Sequence, residues 1–457
     1  MDAIAAFARH VTETAYRDFP DAAVAAAKVF LLDTLGVGLI GSSGPKARDL
    51  AQAQSLWGKG DDARVWSTGE SLPAPAAAFC NAYQVHNSEF DCIHEAAVAH
   101  VMTVVVPAAL AGAERMARAE GRRVNGRQLI EAIVLGVDVA AALGLAATSG
   151  MRFFRPATAG AFGGCAALAK LMGFEAQRLQ HAFAIVYGQL SGNMQAHTEG
   201  SLLLAMQMGF SARNAVVACD LAGLAFEGPA NILEGRFGYF KLIETEGDPS
   251  GVAASFGRSW RITEVAHKPF PAGRATHGVI EACLDLKRRL GLQGESIARV
   301  KAHVPPLVHN LVGRPPKAQM QINYARLCAP YVAACALLRG TLSPGDFEDA
   351  AYADPATQSL AGRITIEPRD FGDPNALVPI EVDLELRSGE RHSARIDVVY
   401  GNPAKPMQRD AHIAKFMANA RAAARPLPAG QAEALVNLID GLEAIDDVTR
   451  VVDHLVA

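Results

Sequence analysis

Within the fifteen positions from His86 to His100 the chain carries His86, Glu89, Asp91, His94, Glu95 and His100, in a region that is otherwise largely apolar. Carboxylates and imidazoles crowded into apolar surroundings make general acids and bases with displaced pKa values. The same residues also suit a polar loop that caps neighbouring helices, or a metal-ligand set. The metal reading is the weakest. On a helix, His94 and His100 point about 120° apart and share no face. No bound metal is therefore expected.

A second dense segment is Lys268-Pro-Phe-Pro-Ala-Gly-Arg-Ala-Thr-His277. Its prolines stiffen the backbone, and Lys268 and Arg274 suit carboxylate binding, the arginine in bidentate fashion. His277 adds a further acid–base candidate. The plain alternative is a domain linker with solvated charges. In Met151-Arg-Phe-Phe-Arg155-Pro, Arg155 reads as an anion clamp or as a surface arginine packed on Phe154.

Other signatures fail. Gly160, Gly163 and Gly164 have the wrong spacing for a dinucleotide loop, and no phosphate-binding G-x-x-x-x-G-K-[ST] occurs. Gly41-Ser42-Ser43-Gly44 falls one residue short of a nucleophile elbow. His94-Glu95 opens like a zincin motif but meets Val98 where the second histidine belongs.

The elements that hold these segments divide the chain. Residues 1–266 read as successive alanine-rich helices. Asp21 caps one of them, Pro107 opens another, and Gln128–Ala147 is apolar all round. Gly160–Met172 is small-residue rich, which lets helix backbones approach closely. From Lys268 the pattern changes. A helix carries Val279, Ala282, Cys283, Leu286 and Leu290. Period-two alternation follows at Val300–Val304, at Ile364–Ile366, and in a hairpin from Ile380 to Val398 that turns at Ser388-Gly389-Glu390. Another helix spans about Tyr324–Leu338. Residues 267–401 thus form an α+β unit. Residues 402–457 return to helix and are expected to dock on the first domain.

The formal net charge is −4, and half of the residues are hydrophobic. No basic patch points to nucleic acid or to a membrane surface. The apolar Ala132–Ala147 stretch reads as short for a bilayer, which takes about 20 residues. The N-terminus has no signal-peptide pattern. Seven scattered cysteines without a C-x-x-C pair suggest reduced thiols and a cytoplasmic protein.

Taken in order, several motifs together resemble the MmgE/PrpD family. They are Leu31-Leu-Asp-Thr-Leu-Gly36, Glu89-Phe-Asp91 with His100, Pro107-Ala-Ala-Leu110, Gly160-Ala-Phe-Gly163 and Leu171-Met-Gly173. Phe226-Glu-Gly-Pro229, Leu233-Glu-Gly235, Lys268-Pro-Phe-Pro271 with His277, Gly401-Asn-Pro403, Pro406-Met407 and Lys415-Phe416 follow. The resemblance covers nearly the whole chain. It implies a mainly α fold with an inserted α+β lid domain, a site between the two, no cofactor, and a homodimer. It also marks two departures. Arg155 stands where dehydratase and decarboxylase members place a histidine, and Leu204 where they place a lysine.

The expected activity is cofactor-independent lyase chemistry on a small di- or tricarboxylate. Asp91 and His100 would do the acid–base work, helped by Glu89 and His94, with His277 as a second acid–base group. Arg155, Lys268 and Arg274 would hold carboxylates, converging with Asp91 and His100 in one cleft. An epimerase or racemase is the next reading, and a non-catalytic carboxylate binder the third.

Overall fold

The computed structural model describes residues 2–372 and 376–457. Its first part is a stack of helices around two that are apolar on most sides, Asp21–Gly41 and Gly126–Ala146. Such helices must be covered all round. Of their most apolar 18-residue windows, 78% and 89% are buried. The second helix corrects an expectation. At 21 residues it is long enough to cross a bilayer, so it reads as a core helix because other helices cover it, not because it is short.

Small residues set the closest packing. A Cβ built on Gly136 would lie 2.8 Å from the Gly163 carbonyl oxygen, and one on Gly163 2.7 Å from that of Gly136. The Gly126–Ala146 and Arg155–Met172 helices therefore touch backbone to backbone. Pro107 departs from expectation: its helix runs Met102–Glu120 and holds the proline inside. The earlier start places Thr103 in the first turn, beside the acid–histidine segment.

The α+β unit holds a four-stranded sheet. Ile297–Val304 lies at its centre, parallel to Ile364–Pro368 and antiparallel to Ile380–Leu386, which pairs with Arg391–Ile396. The hairpin turns through Gly389 at φ 91°, a conformation that favours glycine. Its second strand stops at Ile396, before Val398. Val300, Ala302 and Val304 point into the core, as do Ile380, Val382 and Leu384. The expected Tyr324–Leu338 helix is two, Ile322–Arg326 and Ala329–Arg339. Pro330 disfavours helix in the residue before it and fits only the first turn of a new one.

After Gly401 come helices Arg409–Arg421, Ala429–Asp440 and Thr449–Asp453. They lie on the first helical part. Phe416 packs on Gly36, Lys28 pairs with Glu443 at 2.8 Å, and the Gly126 amide donates to the Ile445 carbonyl at 2.8 Å. One short ladder positions the site: Ile93–His94 pairs antiparallel with Val265–Ala266. It draws the acid–histidine segment alongside the chain leading to Lys268.

Candidate active site

From Asn87 to His100 the chain is a loop, broken only by that two-residue strand. Helical spacing does not apply, and residues that a helix would separate meet. One Asp91 oxygen, Oδ2, accepts from the Thr103 hydroxyl at 2.6 Å and from His86 Nδ1 at 2.9 Å. His100 Nδ1 lies 3.0 Å from the same oxygen, off the hydrogen-bond axis. The His86 and His100 rings meet edge to face at 4.8 Å.

On the other side stands Lys268, fully buried. Its Nζ donates to Glu89 Oε2 at 3.0 Å and to the Glu89 carbonyl at 3.2 Å, and lies 3.6 Å from Asp91 Oδ1. Lys415 does the same one residue on. It donates to the Phe90 carbonyl at 3.0 Å and to Asp33 Oδ1 at 2.8 Å, over the face of the Phe90 ring. Two lysines from distant parts of the chain thus hold two consecutive carbonyls. Glu89 itself sits at φ 52°, a strained conformation for a non-glycine residue.

Charges sort the two histidines. Burial alone would raise the Asp91 pKa, but His100, His86 and Lys268 outweigh it and hold the carboxyl well below its usual range. Burial lowers the pKa of His86, yet Asp91 and Glu89 overcome that and raise it. For His100 burial prevails, aided by Lys268, and the pKa falls. Two imidazoles on one carboxylate are pushed apart, a pattern that assigns acid and base roles. Of the two, His100 is the one shifted toward its neutral form. With Nδ1 turned to Asp91, its Nε2 is the free basic nitrogen.

His100 lines a cavity between the two domains, together with Glu89, Phe154 and His197 from the helical part and Gly273, Arg274, Leu311 and Leu327 from the other. The cavity measures about 60 Å³, well under the roughly 300 Å³ of the smallest ligand pockets. A larger hollow of about 720 Å³ beside Arg48, Glu70 and Arg425 carries no comparable acid–histidine group.

Other expected site residues are engaged elsewhere. Arg155 grips Glu244 with two bonds, 2.7 and 2.9 Å, and donates to the Ala97 carbonyl; Phe154 and Pro156 line the cavity in its place. Arg274 reaches the cavity wall, but it donates to Glu95 at 2.6 Å and to the Tyr400 carbonyl at 2.8 Å. His94 Nε2 meets Glu264 at 2.8 Å and its Nδ1 accepts from the Ala97 amide. His277 Nε2 meets the Ala272 carbonyl at 3.1 Å, and burial together with Arg274 pushes its pKa well down. These two histidines hold loops. Leu204 is buried in the Leu203–Gly223 helix.

Because Arg155 is matched to Glu244, Arg155→Ala is expected to cost about 3 kcal/mol of stability by stranding a buried carboxylate. Adding Glu244→Gln should recover part of that loss. A double-mutant cycle on urea midpoints measures the coupling; strictly additive effects would contradict the pairing.

Spacing also does not exclude a metal. His86, Asp91 and His100 bring ligand atoms within 4.8 Å of one another, as do Asp33, His267 and His412. The lysines weigh against one. Each trio has an ammonium beside its aspartate, Lys268 or Lys415, which supplies positive charge and repels a second cation.

The sequence reading passed over His197, Arg314 and Thr103. Burial and Arg314 lower the His197 pKa to about 4. Its position next to Glu199-Gly200-Ser201, a turn with motif character, was the available signal.

Comparison with known proteins places this architecture. The model of the MmgE/PrpD N-terminal domain matches residues 5–251, and that of the MmgE/PrpD C-terminal domain matches residues 270–440. Human cis-aconitate decarboxylase is 27% identical over 441 residues, spanning 93% of this chain and 89% of that protein. The mouse protein of that name is 26% identical over 443 residues, with 93% and 88% covered. The cis-aconitate decarboxylase-like protein oryM of Aspergillus oryzae is 27% identical over 405 residues, 83% of each chain. With both family domains matched in order across a helical body and an α+β lid, the chain belongs to the MmgE/PrpD family.

Proposed function

We propose that this protein is a cofactor-independent lyase, of dehydratase or decarboxylase type, acting on a small di- or tricarboxylate. The observation that carries the reading is the Asp91–His100 pair at the wall of a cleft between domains. The decarboxylase names of the relatives support the class. In a dehydration, His100 Nε2 takes the proton next to a carboxylate, the C–O bond breaks, and hydroxide leaves as water by taking that proton from the His100 imidazolium, which ends neutral. In a decarboxylation, the C–C bond breaks to release CO2 and the carbanion takes a proton that His100 first acquires from solvent and then passes on, ending neutral again. Lys268, 3.6 Å from Asp91 Oδ1, adds positive potential behind the pair. The reading goes with a homodimer, as the family resemblance implies, and with the cytoplasm, where seven free buried cysteines stay reduced.

Incubation with cis-aconitate, citrate and related acids in D2O, followed by proton NMR, tests it. An unsaturated or decarboxylated product supports the lyase. Two low-pKa histidines, His100 and His197, line the same cleft, which favours a two-base epimerase as the second reading. That enzyme would exchange the α-proton and lose no group. Neither outcome would leave only a binder.

The lowered pKa of His100 sets a pH dependence. A base with a depressed pKa stays unprotonated to lower pH, so the acid limb of kcat/KM, which reports the free enzyme, should fall below the ordinary histidine value of 6.5. A limb centred above pH 7 would remove His100 from the role of base.

A further inference from the structure

The cations chosen from sequence are answered inside the fold: Arg155 by Glu244, Lys268 by Glu89, Arg274 by Glu95. Two arginines of the lid domain are not. Arg326 is 5% exposed, donates through Nη1 to the Asn87 carbonyl, leaves Nε without a partner, and sits 5.4 Å from the centre of the Phe347 ring. Arg314 donates to the backbone carbonyls of His197 at 3.0 Å and Leu311 at 2.9 Å, and lies over the Tyr324 ring at 5.1 Å. Among the described residues neither has a carboxylate within ion-pair distance. Burial lowers the pKa of both, that of Arg326 to about 10.

Neither lines the cleft itself, but each is one contact or one residue behind its wall. His197 and Leu311, the partners of Arg314, line the cleft. So does Leu327, the residue after Arg326, and so does Gly273, whose amide donates to the Arg326 carbonyl at 3.0 Å. Asn87, which receives the Arg326 guanidinium, lies two residues before Glu89. A buried cation without an anion costs several kcal/mol. A guanidinium fork is shaped for a carboxylate. A fold that matches its other site cations and leaves these two unmatched has room for negative charge from outside.

We propose that Arg314 and Arg326 are the substrate-carboxylate pair of this cleft, taking two carboxylates of one small di- or tricarboxylic acid. The proposal rests on the cleft being the substrate site.

The test uses the full-length protein with propane-1,2,3-tricarboxylate as the probe, in calorimetry and thermal melts at fixed ionic strength, with propionate as the monoacid control. Wild type should bind the triacid and prefer it to propionate. Arg314→Met and Arg326→Met should each weaken binding about ten- to hundredfold, the loss of one charged hydrogen-bonded contact. Arg326→Lys, which keeps the charge and loses the fork, should weaken it less. Without ligand, Arg326→Met should melt no lower than wild type, since it removes an unmatched buried charge. Triacid affinity unchanged in the variants, or no triacid binding by wild type, overturns the pair. So does an Arg326→Met protein that melts far lower in the absence of ligand, because the arginine is then an internal counter-charge. Triacid binding that is arginine-dependent without turnover of any polycarboxylate keeps the pair and removes the lyase. Turnover with arginine-independent binding does the reverse.

Discussion

Asp91→Asn is expected to lower kcat by about 10³- to 10⁴-fold while the protein stays folded, by analogy with removal of the orienting aspartate in other histidine-based catalysts. Asp91 Oδ2 is the common acceptor beside His86, Thr103 and His100. An amide turned to keep its carbonyl there retains the acceptor but not the charge. Turned the other way, it presents N–H groups to the Thr103 hydroxyl and to His100 Nδ1, and favours the tautomer with its proton on Nε2. Either way the cleft-facing nitrogen loses basicity, while the side-chain volume is preserved. The effect should therefore appear in kcat with little change in the KM for the acid that the product screen identifies. An Asn variant within tenfold of wild type in kcat, with an unchanged circular dichroism spectrum, would remove Asp91 from the mechanism.

The largest stability effect is expected at Lys268. It is fully buried beside two buried carboxylates, and Lys268→Met takes from Glu89 its nearest cation and from Asp91 one of its three neighbouring positive groups. Removing one member of a buried pair costs about 3–5 kcal/mol, here measured as a fall in the urea midpoint at constant slope. The pH dependence has a definite sign. In the wild type, Lys268 and the histidines hold Glu89 and Asp91 below their ordinary pKa values, against a burial effect that pushes up. Their stabilisation is present above the unfolded-state values, near pH 4, and is lost as pH falls further. In the variant, burial is less opposed and both pKa values rise. The deficit should be greatest at neutral pH and shrink as acid neutralises the stranded carboxylates. A deficit that is the same at pH 7 and pH 4.5 would mean that lost packing, not lost charge, is responsible.

The density of acids and histidines between His86 and His100 was legible in the sequence, and so was the change from helical to alternating pattern near Lys268. Those signals are local. The helical-spacing argument at His94 and His100 failed because the segment is a loop, held by a ladder to residues some 170 positions away. The pairing of Arg155 was not legible for a related reason. Its partner Glu244 is 89 residues distant, and nothing in Phe-Phe-Arg-Pro shows whether an arginine is already matched. Arg314 and Arg326 were missed by the converse: a cation that lacks a partner has no sequence signature. The break before Pro330 was readable from the restriction a proline places on its predecessor.

The double lysine grip on Glu89 and Phe90 bears on how the molecule comes into being. The loop is made early, but one of its clamps arrives at residue 268 and the other at residue 415. Until then Asp33, Glu89 and Asp91 lack those two counter-charges, so burying them is costly. During synthesis the growing chain can form much of its helical stack, yet it cannot seal the catalytic loop. An interrupted translation product should leave that loop wet and chemically idle. The same dependence couples the two halves: a replaced second half must present both ammoniums, and a replaced first half must present the two carbonyls that receive them.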